Sequence, residues 1–340
     1  MRYITRANFH LLIKGAVLLG TGGGGDPSYA YNLLSKALKR KKIKLVNISK
    51  LGDNDLVSTI FSIGDGRPLE IKMETIFTVK ERLENLLGEK VRGIVPVEIG
   101  AGSIARAAYT SSILDIPLVD GDFVGGRASP EVYLETITLT NLQREPLVAV
   151  NRKGRFLELL SSRDYKETET VLRKFSEGSA LVFGYPLRAG KIKNIIGSKT
   201  VSKTIKVGEA LLSGNPVNNT CRITGGRVVF EGVVKSVRKK ASGGFLTGKE
   251  TINGIGKYGG MVLELFFKNE NLFCKINGRI RFSAPDLILQ LDKTNMEGIY
   301  NRELSVGQTV AIIIAPPLPI WRTKKGKALW EAVIKSGNAI

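Results

Sequence analysis

Three short segments combine residue types that can do chemistry. The first, LLGTGGGGDP at 18–27, sets four consecutive glycines, Gly22, Gly23, Gly24 and Gly25, directly before Asp26. Without Cβ atoms such a run can adopt positive φ and turn its N–H groups toward an anion, and a helix starting just after it adds a favourable field. A carboxylate, a phosphate or a developing negative charge could be held there. A close crossing of two helices would use the same glycines, with Asp26 acting only as a cap. No Lys-Ser/Thr pair follows the glycines and no clear strand precedes them, so neither a phosphate-binding P-loop nor a dinucleotide fingerprint is present.

The second segment, VPVEIGAGSIARAA, sets Glu98 just past an expected strand at 91–97, with Ser103 starting the next helix. A glutamate at a strand's carboxyl end can serve as base, hydrogen-bond acceptor or metal ligand, or simply accept from the turn's own N–H groups. The third, LVDGDFVGGRASPE, follows another expected strand with Asp120, Asp122, Arg127 and Glu131. Period-two alternation aims Asp120 and Asp122 to one side if the strand continues, although Gly121 allows a turn between them. With Glu98 they could orient a water or hold a divalent cation such as Mg²⁺, for which oxygen ligands are suited. Whether any metal is used stays open. Arg127 could clamp a substrate carboxylate or neutralise the two aspartates.

Other chemistry has little support. His10 is the only histidine, and Cys221 and Cys274 lack paired spacing, so triads, thiolate zinc sites and disulfide frameworks are all poorly served. In the second half, FFKNENLF offers Asn269 and Glu270, SAPDLI offers Asp286, and PIWRT offers Arg322. These could cross a crevice between domains, but hairpin turns call for the same residue types.

The elements that must position these groups alternate along the first half. Apolar spacing predicts a helix capped at Thr5 through Phe9, Leu12, Ile13, Ala16 and Val17, and a second from Asp26-Pro27 to Leu38. Strands at 43–48, 56–63, 91–97 and 116–120 alternate with helices at 78–87 and 104–114. Pro130-Glu131 suggests a further helix start, and 166–175 an amphipathic helix. A strand is expected at 180–186 and a helix at 203–212. From about Cys221 the pattern turns to short β-rich runs at 227–237, 260–267, 271–276 and 308–315. The expectation is a layered α/β domain over 1–175 and a β-rich domain over 176–340, with a crevice between them.

At 340 residues the chain can bury two cores. Its formal charge is +20. Residues 1–170 carry 24 basic and 20 acidic side chains and residues 171–340 carry 27 and 11, so +16 of the excess lies in the second half. The densest basic cluster, Lys235, Arg238, Lys239 and Lys240, has no aromatic interleaving, which weighs against nucleic acid. Apolar runs stay short of the roughly 18 residues a spanning helix needs. A cytoplasmic protein without membrane insertion is expected.

The ordered set VLLGTGGGGDP, PVEIGAGS, IPLVDGDFVGGRASPE, VRKKASGGFLTG, KNENLF, APDLI and PIWRT resembles the S-methyl thiohydantoin desulfurase family across nearly the whole chain. The resemblance implies an α/β N-terminal part, a β-rich C-terminal part, and removal of methanethiol from S-methyl thiohydantoin to leave a hydantoin. It also implies a small cyclic substrate and a hydantoinase/oxoprolinase-like partner; that the substrate is anionic is expected from Arg127 and the basic field, and a homo-oligomer is a further expectation. The chain departs from the family pattern at Ala101, Ser103 and Ser129 and in its C-terminal segment, RTKKGKALWEAVIKSGNAI. The resemblance associates Gly22–Gly25 and Asp26, the Glu98 turn, and the Asp120, Asp122, Arg127 and Glu131 stretch with an interdomain site. The chemistry of these residue types adds the expectation that Glu98 or Asp122 deprotonates water, the glycine loop stabilises charge on the ring, and Arg127 holds a carboxylate. A non-catalytic ligand-binding or regulatory subunit, and a nucleic-acid-binding protein, remain the alternatives.

Overall fold

The protein is described by a computed structural model covering residues 2–39, 41–64 and 69–337. The last three residues of the C-terminal segment, 338–340, lie outside the described residues. The helices are α1 (Phe9–Leu19), α2 (Pro27–Ala37), α3 (Met73–Leu87), α4 (Ala101–Leu114), α5 (Tyr165–Ser176), α6 (Ala189–Ile192), α7 (Thr200–Leu211), α8 (Pro216–Thr224) and α9 (Lys324–Gly337). Asp26 caps α2 through the Tyr29 N–H at 2.9 Å, with Pro27 in the first turn where its missing N–H costs nothing. The first helix starts at Phe9 rather than at Thr5. Asn8 precedes it, and its side chain accepts instead from the Thr5 N–H.

The first sheet contains β1 (Arg2–Ile4), β2 (Ile43–Val46), β3 (Leu56–Gly64), β4 (Gly93–Ile94) and β5 (Leu118–Val119). The chain then leaves it for β6 (Gly121–Asp122), and returns as β7 (Leu147–Asn151), β8 (Phe156–Leu159) and β9 (Ser179–Arg188). The order is β1-β2-β5-β4-β3-β9-β7-β8, parallel from β2 through β3 and antiparallel beyond. Apolar clusters cover both faces. Leu45, Ile60, Ile94 and Leu118 join the α1–α4 side, and Val57, Phe61, Val119 and Val182 the side carrying Leu172 of α5. The sheet therefore extends past residue 175, because β9 pairs with both β3 and β7.

The helix expected at Pro130-Glu131 is absent. That stretch is turn, leading to a 3-10 segment at Thr136–Leu139, where β-branched residues and a bond from the Thr136 N–H to Phe123 O at 2.7 Å hold the chain out of a helix. A two-stranded ribbon pairs β6 with β10 (Gly197–Ser198).

The second sheet holds β11 (Arg227–Ser242), β12 (Phe245–Gly254), β13 (Val262–Lys268), β14 (Glu270–Ile276), β15 (Arg279–Ser283), β16 (Leu287–Asp292), β17 (Glu297–Gly298) and β18 (Thr309–Ala315). Its order, β15-β14-β13-β12-β11-β18-β16-β17, is antiparallel throughout. Phe230, Ile252, Leu265, Phe267 and Ile312 fill its own core. The molecule is thus an α/β region followed by a β-rich one, as the residue pattern implies.

Candidate functional site

A cleft of about 210 Å³ lies where the two sheets meet. The first domain contributes the glycine loop, Asp26, Glu98, Ser103, Arg106, Glu131 and Glu135; the second contributes Leu246, Asn269, Glu270, Tyr300 and Arg302. The entering element from the second domain is the tip of the β13–β14 hairpin. A single residue, Asn269, connects Lys268 to Glu270, which requires its φ of 58°, a conformation asparagine tolerates. The Asn269 side chain accepts from the Leu246 N–H at 2.8 Å and its own N–H donates to Leu246 O at 2.7 Å. The hairpin tip is therefore held from both sides.

This tip docks on the glycine loop. The Asn271 N–H donates to Thr21 O at 2.7 Å, and the Gly24 N–H donates to Glu270 Oε1 at 3.0 Å. A Cβ at Gly23 would overlap the Glu270 carboxylate, and one at Gly24, whose φ is 77°, would overlap the backbone of Gly100 at the start of α4. Gly24 O in turn accepts from the Gly102 N–H at 2.9 Å. The loop is thus a close crossing as well as a lining of the cleft. The N–H groups of Gly23 and Gly24 already donate, to Gly20 O and to Glu270, and are not available as an anion cradle.

Glu98 sits in the turn after β4, which is shorter than the expected 91–97 strand: the Val95 N–H still donates to Ser58 O at 2.9 Å, but Pro96 has no N–H to continue the ladder, and Val97 and Glu98 line the cleft. Its Oε1 accepts from Ser103 Oγ at 2.6 Å and its Oε2 from the Ser129 N–H at 2.9 Å. Burial pushes its pKa up, against the pull of these two donors and of Arg106 and Arg127. Glu270 is 3% exposed, and its Oε2 is buried without a hydrogen-bond partner among the described residues. Burial first, and then the charge of Glu98, drive its pKa well above the usual carboxylate range. Two carboxyl groups thus face each other electrostatically in a poorly solvated place. Such a pair retains a proton. The donors on Glu98 favour its charged form, and the bare oxygen of Glu270 is where the proton belongs.

Arg127 lies under this pair, fully buried, and does not clamp a ligand. It donates to Ala128 O, Pro285 O and Asp286 O, each at 3.0 Å, and to Thr21 Oγ1 at 3.3 Å, with its guanidinium 4.5 Å from the Trp330 ring centre. Burial lowers its pKa to about 10, opposed by the charges of Glu270, Asp286 and Glu98. It is the fixed counter-charge of the acid pair.

The two aspartates face elsewhere. Asp122 accepts from the N–H groups of Val124, Gly125 and Gly126 at 2.9, 2.7 and 2.8 Å, so both oxygens are consumed in folding the loop, and burial raises its pKa to about 6. Asp120 accepts from the Ser202 N–H at 2.8 Å and from Ser202 Oγ, anchoring the first turn of α7. Alternation along one strand does not apply to them, because the chain leaves the first sheet between β5 and β6. Glu98, Asp120 and Asp122 therefore do not form one oxygen-ligand set. Among the described residues no group of three or more His, Cys, Asp or Glu side chains is placed to hold a metal ion. Asp286 pairs with Arg322 at 2.6 Å outside the cleft. Glu131 lines the cleft in an ion pair with Lys268.

Several cleft residues are not singled out by sequence reasoning. Arg106 lies three residues after Ser103 on α4, a spacing that sets the two on one face and would have been a usable signal. Glu135 accepts from Tyr185 Oη at 3.2 Å and from Arg144 Nε at 3.3 Å, and burial raises its pKa to about 7. Tyr300 and Arg302 belong to a loop secured from below by Lys239, which donates to Arg302 O and Leu304 O at 2.9 Å. One member of the basic cluster is thus a structural strut.

No helix among the described residues is long and apolar enough to cross a membrane. Across 99% of this chain and 97% of the other, the fold matches a crystal structure of a protein from Chromobacterium violaceum, with a TM-score of 0.84 and 19% identity. No curated protein matches the sequence significantly. The family model described as S-Me-THD-like, N-terminal domain, matches residues 7–161, and its C-terminal counterpart matches residues 163–332. With both halves matched in order, the chain belongs to the S-Me-THD-like, or S-methyl thiohydantoin desulfurase, family.

Proposed function

We propose that the protein is a hydrolase of small five-membered cyclic amides or thio-imidates, of the S-methyl thiohydantoin or hydantoin kind, with Glu98 and Glu270 as its acid–base pair. The observation that carries this reading is the bare, buried Oε2 of Glu270, within reach of the charge of a Glu98 whose two oxygens are held by Ser103 and Ser129. Two carboxyl groups whose surroundings differ divide into a proton holder and a proton acceptor. Ionised Glu98 takes a proton from water as the water oxygen bonds to the electrophilic ring carbon. Neutral Glu270 protonates the departing group. For an S-methyl thio-imidate the carbon–sulfur bond breaks and methanethiol leaves. The water oxygen becomes the ring carbonyl, and the two water hydrogens end on sulfur and on the ring nitrogen.

A small anionic substrate fits a cleft with arginines at its edge, Arg106 and Arg302, rather than the buried Arg127. Opening the product ring is a separate hydrolysis, which is the place for the family's association with hydantoinase and oxoprolinase systems. The test is methanethiol release from S-methyl thiohydantoins, with and without chelator, by the wild type, Glu98→Gln and Glu270→Gln. Loss of turnover in both variants with folding intact is expected. Unchanged turnover in both would overturn the assignment, and saturable binding without turnover by the wild type would favour a ligand-binding or regulatory subunit.

A further inference from the structure

A second and larger cavity, about 810 Å³, opens at the carboxyl ends of β2 and β5, sharing none of its lining with the cleft. Six cations from four elements reach it: Arg2 of β1, Lys44 of β2, Lys50 of the turn after β2, and Lys199, Lys203 and Lys206 beside and along α7. The last three are spaced by four and then three residues, which aligns them on one helical face. The single carboxylate in the lining is Asp120, and Ser202 occupies both its oxygens. None of the six cations forms an ion pair with another described residue.

Lys203 is the most telling of them. It is only partly exposed, and burial pulls its pKa below the usual lysine range with no neighbouring acid to oppose the shift. Cations gathered in a concavity with apolar walls focus a positive field, and each raises the cost of the others until an anion enters. Leu45, Leu51, Pro117 and Ile223 provide such walls. So many cations exceed what a lone carboxylate would neutralise, and the volume suits a ligand of nucleotide size.

We propose that this cavity binds a phosphate-bearing small molecule, its phosphates on the lysines of the α7 face and its apolar or aromatic body against Leu51, Pro117 and Ile223. A concave site on which cations from four elements converge favours a small polyanion over an extended nucleic acid, for which aromatic stacking side chains would be expected. The site does not depend on the chemistry assigned to the cleft.

The experiment is calorimetric titration of the full chain with ATP, inorganic pyrophosphate and adenosine at two salt concentrations, repeated with Lys203→Met and Lys206→Gln. Saturable one-to-one binding of ATP is expected, weaker at high salt, with adenosine inert. Losing one charge-assisted phosphate contact should weaken ATP binding about tenfold or more for Lys203→Met. The exposed Lys206→Gln should weaken it a few-fold, and keeps the test valid should Lys203→Met fail to fold. Methanethiol release should be unchanged in the folded variants. Absence of saturable binding by ATP and pyrophosphate, or ATP binding indifferent to Lys206→Gln and any folded Lys203→Met, would overturn the proposal. So would displacement of ATP by a short RNA or an acidic peptide of far higher affinity.

Discussion

The cleft and the basic cavity stand at the carboxyl ends of the same run of parallel strands, yet they handle charge in opposite ways. In the cleft, acids from both domains are pressed together over one buried guanidinium, and nearly every oxygen is tied to a donor. In the cavity, six cations surround apolar walls and none has a paired acid among the described residues. Crowded acids raise one another's proton affinity, which suits proton transfer. Unpaired cations create a standing attraction, which suits capture. Proximity to a strand end is therefore shared, and the partners of each charged group decide what the place can do.

Removing the support of the acid pair should have the largest effect. Arg127→Met leaves Glu98 and Glu270 without their counter-charge and three main-chain carbonyls without a donor, costing on the order of 3–5 kcal/mol of stability, measured by urea unfolding. A loss under 1 kcal/mol would mean that the guanidinium is not what holds the acids. Glu270→Gln comes next, with turnover lower by about 10²–10⁴ and ATP binding in the cavity unchanged. Its pH profile should sharpen the contrast. Activity in the wild type falls in acid as Glu98 gains a proton and in alkali as Glu270 loses one, and the variant's residual activity should lack the alkaline limb.

Asp122→Asn should cost about 1–3 kcal/mol of stability, because an amide cannot accept equally well from three N–H groups, while the protein that folds keeps its turnover. A selective loss of turnover would return Asp122 to the chemistry. Ser103→Ala should have the smallest effect. Losing one hydrogen bond to the Glu98 carboxylate, worth about 1.5 kcal/mol, should lower turnover roughly tenfold and move the acid limb upward in pH. If the acid limb stays fixed, Ser103 does not tune Glu98.

Much of this arrangement is legible in the residues. Asp26-Pro27 announces the start of α2, the helix at 200–211 falls where apolar spacing puts it within a few residues, and the turn residues of KNENLF mark a hairpin. The aspartates are harder to read. Asp120 and Asp122 carry the signature of paired acids, but whether they face a ligand depends on the chain leaving one sheet for a two-stranded ribbon with β10, a partner far along the sequence. Arg127 resembles a substrate clamp for the same reason. Only the arrival of Trp330 and of the carbonyls of Pro285 and Asp286 buries it.

The sequence by itself determined the order of domains, the cap of α2 at Asp26 and the family, because these depend on local conformational preference and on collinear motifs. Tertiary structure alone decided which charges meet. Glu98 and Glu270 come from opposite halves of the chain, and Arg2, Lys44 and Lys50 join the lysine stripe of α7 only through the order of strands in the first sheet. Proton affinity and anion affinity are properties of neighbours and of excluded water, and neither is set by spacing along a chain.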